Sequence, residues 1–257
     1  MPPRKNSPAL TLAAAALALA SLAGCSSAGP TAPPDRTLTV FAASSLKAAF
    51  TDIGHDFEAA HPGTRVAFSF DGSAALVDQL KGGAPADVFA SADDANMKKA
   101  TDAHLVAGTP QRFATNVLTL VVAPGNPAGI TGLDASLEGK KLVICAVGVP
   151  CGTATATLAT NLGVTLRPVS KEQKVTDVLG KVTSGEADAG VVYATDALAA
   201  GARVTAIALP GADKIVNHYP IAVTAAARQP EAAAQFVAHV TGDQGRAALA
   251  RYGFGQG

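Results

Sequence analysis

Val40-Phe41-Ala42-Ala43-Ser44-Ser45-Leu46-Lys47-Ala48-Ala49-Phe50 changes its period in mid-stretch. The run Leu38 to Ala42 is apolar and strand-like, two serines interrupt it, and Leu46, Phe50, Ile53 and Phe57 then recur at helical spacing. Serine is a favoured helix N-cap, so the stretch reads as strand, tight turn, helix. Such a turn gathers a hydroxyl and unpaired backbone N–H groups at the positive end of a helix dipole, which suits an anion. Taken alone, Ser45 reads first as a plain helix cap. The rest of the chain has to decide.

The same architecture recurs downstream. Val66, Phe68 and Phe70 alternate as a half-buried strand that runs through Asp71-Gly72-Ser73 into a helix carrying Leu76, Val77 and Leu80. Gly82-Gly83-Ala84-Pro85-Ala86-Asp87 turns into the short apolar run Val88-Phe89-Ala90, and a helix follows near Asp93 to Ala100. After Phe113-Ala114-Thr115-Asn116 an apolar run, Val117 to Ala123, begins a second half of the same style. It has a strand Lys141 to Val147, a turn through Cys151, a helix marked by Val175, Val178, Leu179 and Val182, and a strand Ala189 to Tyr193. A strand Val204 to Leu209 precedes Pro210-Gly211, and His218 to Val223 is the expected return crossover. Helices are expected over Glu231 to Val240 and Asp243 to Arg251. Strands alternating with helices predict a parallel α/β architecture with ligands at the carboxyl ends of strands.

Composition bounds the chemistry. The 257-residue chain is long enough for two domains, and 48% hydrophobic content supports a buried core. Twenty cations balance 20 anions, so neither nucleic acid nor an acidic membrane surface is implied as a partner. Arg4 and Lys5 precede an apolar run, Ala9 to Ala20, too short for a comfortable membrane span, so residues 1–24 read as a signal peptide. The run ends in Leu22-Ala23-Gly24-Cys25, which resembles the lipobox of bacterial lipoproteins and marks Cys25 for lipidation. Removal of residues 1–24 takes Arg4 and Lys5 with it, and 18 cations against 20 anions leave a charge of about −2. Residues 25–36, rich in Ser, Ala, Thr and Pro, have the composition of a tether, and a diacylated Cys25 would hold the protein on a membrane surface. Cys145 and Cys151 are spaced for a loop-closing disulfide in an exported setting, although spacing alone fixes no Cα separation. No CxxC pattern suggests zinc.

Several blocks then carry a resemblance: Phe41 to Leu46, Gly82 to Ala92, Gly190-Val191-Val192-Tyr193 with Thr195-Asp196, Tyr219 to Val223, and Arg251-Tyr252-Gly253-Phe254. In order and at sensible spacing over residues 37–254, they resemble the periplasmic molybdate-binding proteins of ABC importers. The resemblance implies an α/β, type II periplasmic-binding-protein fold, with two α/β lobes, a ligand cleft and two hinge crossovers. The lobes are expected at 37–114 plus 219–257 and at 115–218. It further implies capture of molybdate, and of tungstate, for an ABC permease, by a monomer without cofactor, molybdenum being present only within the transported oxyanion. The ligand set it implies is Ser45 and Ser73 through hydroxyls, Cys151 and Val175 through backbone N–H groups, and Tyr193 through its hydroxyl. At position 151 the family usually has alanine; a backbone donor survives that change.

Physical chemistry is consistent with that set. None of these donors is cationic, so a buried dianion would depend on a full shell of aimed donors and helix N-termini, because an unpaired buried charge costs several kcal/mol. A shell of donors without an acceptor disfavours an anion that still carries a proton. Tyr193 and Val175 also have plain readings as core residues, and Ser73 as a cap; Lys47 and Lys174 read as solvated. Asp87 and Asp196 read as loop-orienting groups. Two alternatives remain: the same fold binding sulfate or another oxyanion, and an exported hydrolase using Ser44 or Ser45 with a histidine. No G-x-S-x-G elbow supports the hydrolase, so no enzymatic activity is expected.

Overall fold

A computed structural model describes residues 36–257. The signal peptide, Cys25 and nearly all of the tether lie outside the described residues. The first half comprises β1 (Arg36–Ala43), a single 3-10 turn at Ser44–Leu46, α1 (Lys47–Ala60), β2 (Thr64–Asp71), α2 (Ser73–Lys81), β3 (Val88–Ala90), α3 (Asp94–Asp102) and β4 (Val106–Asn116). Then come β5 (Leu118–Val122), β6 (Leu142–Cys145), α4 (Pro150–Leu162), β7 (Ser170–Glu172), α5 (Val175–Thr183), β8 (Ala189–Tyr193), α6 (Ala194–Ala200) and β9 (Thr205–Ile207). β10 (Asn217–Thr224), α7 (Pro230–Thr241), α8 (Asp243–Arg251) and β11 (Gly255–Gln256) complete the chain.

Two sheets result, ordered β11-β4-β10-β3-β1-β2 and β7-β6-β8-β5-β9. Both are mixed, where strand–helix alternation alone predicts parallel sheets. β1 pairs in parallel with β2 and β3, but β10 enters antiparallel to β3 and β4. In the second sheet β6 is parallel to β7 and β8, while β5 runs antiparallel to β8 and β9. The antiparallel members are the strands by which the chain changes sheet. It leaves the first sheet between Asn116 and Leu118 and returns along β10, where Asn217 pairs with Asn116. This is the two-lobed arrangement of type II periplasmic binding proteins, with the crossovers side by side.

β1 is a central strand covered on both faces, which explains why its sequence is continuously apolar and not alternating. Leu38, Val40 and Ala42 pack with Phe50, Ile53, Phe57 and Phe236. Phe41 points the other way, toward Leu76, Val77 and Phe89 beneath α2 and α3. Phe50 meets Phe68, Phe113 and Phe236, so the aromatics that start α1 tie β2, β4 and α7 to one core. The second sheet has its own core, in which Leu120, Val143, Val178 and Val191 are buried.

Asp87 orients a loop: Oδ2 accepts the Thr39 N–H and Oδ1 accepts those of Arg228 and Gln229. Cys145 and Cys151 are joined in a disulfide with Cα atoms 5.7 Å apart, closing the loop between β6 and α4. Among the described residues no helix is long and apolar enough to cross a membrane.

Candidate functional site

The carboxyl ends of β1, β2, β6, β7 and β8 deliver their following turns to one cavity. Ser45, Ser73, Cys151, Val175 and Tyr193 all line it, and so do Ala43, Ser44, Gly72, Ala92 and Pro150. Its volume is about 10 Å³, on the scale of a single water-sized probe. Pockets for organic ligands run to hundreds of Å³, far above this one.

Each donor is placed by ordinary local structure. Ser45 lies within the 3-10 turn after β1 and caps no helix. Its Oγ is 3.0 Å from Tyr219 Oη, on β10, a partner that the sequence does not suggest. Ser73 is the first residue of α2, whose cap is Gly72, and its Oγ accepts the Ala92 N–H at 3.0 Å. An oxygen that already accepts has its own proton to give. Cys151 stands in the first turn of α4 behind the N-terminal Pro150, and Val175 is the first residue of α5. First-turn N–H groups have no intrahelical carbonyl, and each carries the positive end of its helix dipole. Val175 is also core, 3% exposed, so its side chain packs within the second lobe.

Tyr193 ends β8 with its ring buried, and its Oη has no hydrogen-bond partner among the described residues. A buried hydroxyl without a partner is costly, so this one is suited to a ligand oxygen. Burial foremost, then the charges of Tyr219, Asp93 and Asp196, push its pKa well up and keep the proton in place. Asp196 accepts the Tyr193 backbone N–H at 3.1 Å, the orienting role expected of it. Charged residues at the cavity wall are engaged elsewhere. Asp71 accepts from Gly72 N–H and Gln79 Nε2, and the Lys174 ammonium lies 4.0 Å from Asp177 at the partly exposed rim.

Beside Ser44, the wall therefore offers the three expected hydroxyls and two helix-start amides. Each serine oxygen has one neighbouring group able to donate to it. The sequence led to all five lining residues but to none of the groups behind Ser45. Tyr219 is 174 residues from it and was visible only as part of a crossover strand.

Comparison with known proteins places this geometry. The profile of the bacterial extracellular solute-binding proteins matches residues 38–255. The chain belongs to that family. Within it, the chain is 47% identical over 246 residues to the molybdate-binding protein ModA of Mycobacterium tuberculosis (strain ATCC 25618 / H37Rv), covering 93% of this chain and 94% of the relative. Among solved structures, the Azotobacter vinelandii periplasmic molybdate-binding protein superposes with a TM-score of 0.74 at 22% identity, over 84% of this chain and 98% of that one. The sulfate-binding protein SubI from M. tuberculosis H37Rv superposes with a TM-score of 0.69, also at 22% identity, over 85% and 86%. The two structural likenesses establish a shared fold.

Proposed function

We propose that this chain captures molybdate, and tungstate, outside the cytoplasm and delivers it to an ABC importer. The observation that carries the reading is the donor wall: Ser45, Ser73 and Tyr193 hydroxyls with the Cys151 and Val175 N–H groups around one small cavity. These five groups face the cavity as neutral donors, so the shell favours a small anion whose oxygens are all acceptors. The starts of α2, α4 and α5 add dipole field. The ModA relative supports molybdate as that anion. Ser45 hydrogen-bonds a tyrosine and not a histidine, which weighs against a hydrolytic nucleophile and for a binding protein without catalysis.

The lobes, residues 37–114 plus 219–257 and residues 115–218, close about the crossovers on the ion, the expected motion of this architecture. A lipid on Cys25 and the segment to residue 36 tether the monomer to the membrane, within reach of the permease. Calorimetric titration with molybdate, tungstate, sulfate and phosphate in separate runs tests the ligand. Tight one-to-one binding of the first two, with the others silent, is expected. Sulfate binding best would favour the second reading, for which the fold shared with SubI speaks. Ser45→Ala and Ser73→Ala each remove a charged hydrogen bond of about 1.5–3 kcal/mol, so each should weaken molybdate binding roughly tenfold to a hundredfold. Unchanged affinity in both would refute the site.

A further inference from the structure

Behind Ser45 stands a directed chain of hydrogen bonds. Asn116 Oδ1 accepts the Val117 backbone N–H at 3.0 Å, which fixes the amide and leaves Nδ2 as the donor facing inward. Nδ2 donates to Thr195 Oγ1 at 2.7 Å and to Tyr219 Oη at 3.4 Å. A phenol that accepts from Asn116 directs its own proton elsewhere, and Ser45 Oγ lies 3.0 Å away. With Tyr219 as the donor of that bond, the Ser45 hydroxyl keeps its own proton to direct into the cavity. Asn116, Thr195, Tyr219 and Ser45 are all buried, so bulk water does not scramble the direction.

We propose that Tyr219, held by Asn116, is a positioning residue that fixes the Ser45 hydroxyl as a donor and so enforces selection for fully deprotonated oxyanions. The proposal rests on the oxyanion reading above and names the residues that set its specificity. A serine free to rotate can accept a proton as readily as donate one, and would tolerate hydrogen phosphate; a serine locked as donor would not. Ser73 reaches the same polarity by another route, through the Ala92 N–H. Asn116 ends β4 and Tyr219 lies on β10, so the selecting groups sit on the crossover strands beneath the cleft.

The test measures molybdate and hydrogen phosphate affinity at pH 8 for the wild type, Tyr219→Phe, Asn116→Ala, Ser45→Ala and the Ser45→Ala/Tyr219→Phe double variant, each checked for folding by circular dichroism. Tyr219→Phe keeps the ring that packs against Phe113, Tyr193 and Phe254. It is expected to weaken molybdate binding about tenfold and to lower the molybdate-to-phosphate preference by a similar factor. Asn116→Ala should lower that preference by a smaller factor. In the Ser45→Ala background Tyr219→Phe should add no further loss, whereas a merely structural role would cost the same in both backgrounds and leave the preference unmoved. A wild type that binds molybdate with an unchanged preference in both folded single variants, or equal losses in both backgrounds, overturns the relay alone. A wild type that binds no oxyanion overturns the underlying reading and the relay with it.

Discussion

Asp196 carries an electrostatic cost near the site. Its carboxylate is 6% exposed and accepts the Tyr193 N–H, and burial pushes its pKa from an ordinary 3.8 up to about 7. The native state therefore holds this proton more tightly than the unfolded chain does. The stability it contributes is fully present below about pH 4 and is lost as pH rises through 7, a swing on the order of 4 kcal/mol. Asn at this position retains an oxygen to accept the Tyr193 N–H and carries no charge. Asp196→Asn should thus melt several degrees above the wild type at pH 8, with the gap closing toward pH 4.5. Thermal melts across that range check it, and a gap independent of pH would show that Asp196 is not the group responsible. The same burial that lifts Asp196 pushes the Tyr193 hydroxyl up as well and favours its protonated, donating form.

Elements were legible wherever burial wrote a pattern into them. Ala189 to Tyr193 and Asp243 to Arg251 coincide with β8 and α8, because one is a wholly buried run and the other a periodic helix. β4 escaped notice although it is among the longest strands. Most of Ala107 to Arg112 is exposed, and what makes the segment a strand is its pairing with β10, not a hydrophobic period. The edge strand β7, Ser170–Glu172, was hidden for the same reason. Lys141 to Val147 was read too long: β6 stops at Cys145 and Val147 is 76% exposed on the loop beyond. Ser45 and Ser73 were legible where a strand breaks into a helix, whereas Cys151, Val175 and Tyr193 followed only from the family resemblance. Tyr219 and Asn116 were not legible, because only the tertiary fold brings two crossover strands under Ser45. The loop after β6 also carries a prediction. Its disulfide closes a short ring, worth about 2 kcal/mol through the unfolded chain. Cys151 begins α4 at the cavity wall, and a Cβ on Gly152 would lie 1.9 Å from the Ala146 carbonyl, so the loop is tightly wound there. Cys145→Ala/Cys151→Ala should lower the melting temperature by about 5 °C while retaining measurable molybdate binding, since the N–H of residue 151 survives. Scanning calorimetry with a parallel titration checks both. Complete loss of binding in the folded variant would mean that the bridge, and not the helix start, places that donor.

At the scale of the whole molecule, the two lobes meet across the cavity. Asn96 Nδ2 on α3 donates to the Gly148 carbonyl of the β6–α4 loop at 3.3 Å. Gly72, at the turn before α2, approaches the Gln173 carbonyl before α5 so closely that a Cβ would lie 2.1 Å from its oxygen. Gly72 has φ −64 and ψ 139, a conformation any residue adopts, so its backbone does not require glycine. What requires it is the neighbouring lobe. Gly72→Ala is therefore a selective probe of closure: it should leave each lobe folded and obstruct only their approach. In the proposed function, closure on the ligand couples affinity to that approach, because the Cys151, Val175 and Tyr193 donors proposed above stand on the second lobe. The variant should bind molybdate at least tenfold more weakly, mainly through faster release. Its radius of gyration in small-angle scattering should contract less on adding molybdate than that of the wild type. Wild-type affinity together with full contraction would show that the lobes close without bringing residue 72 against Gln173.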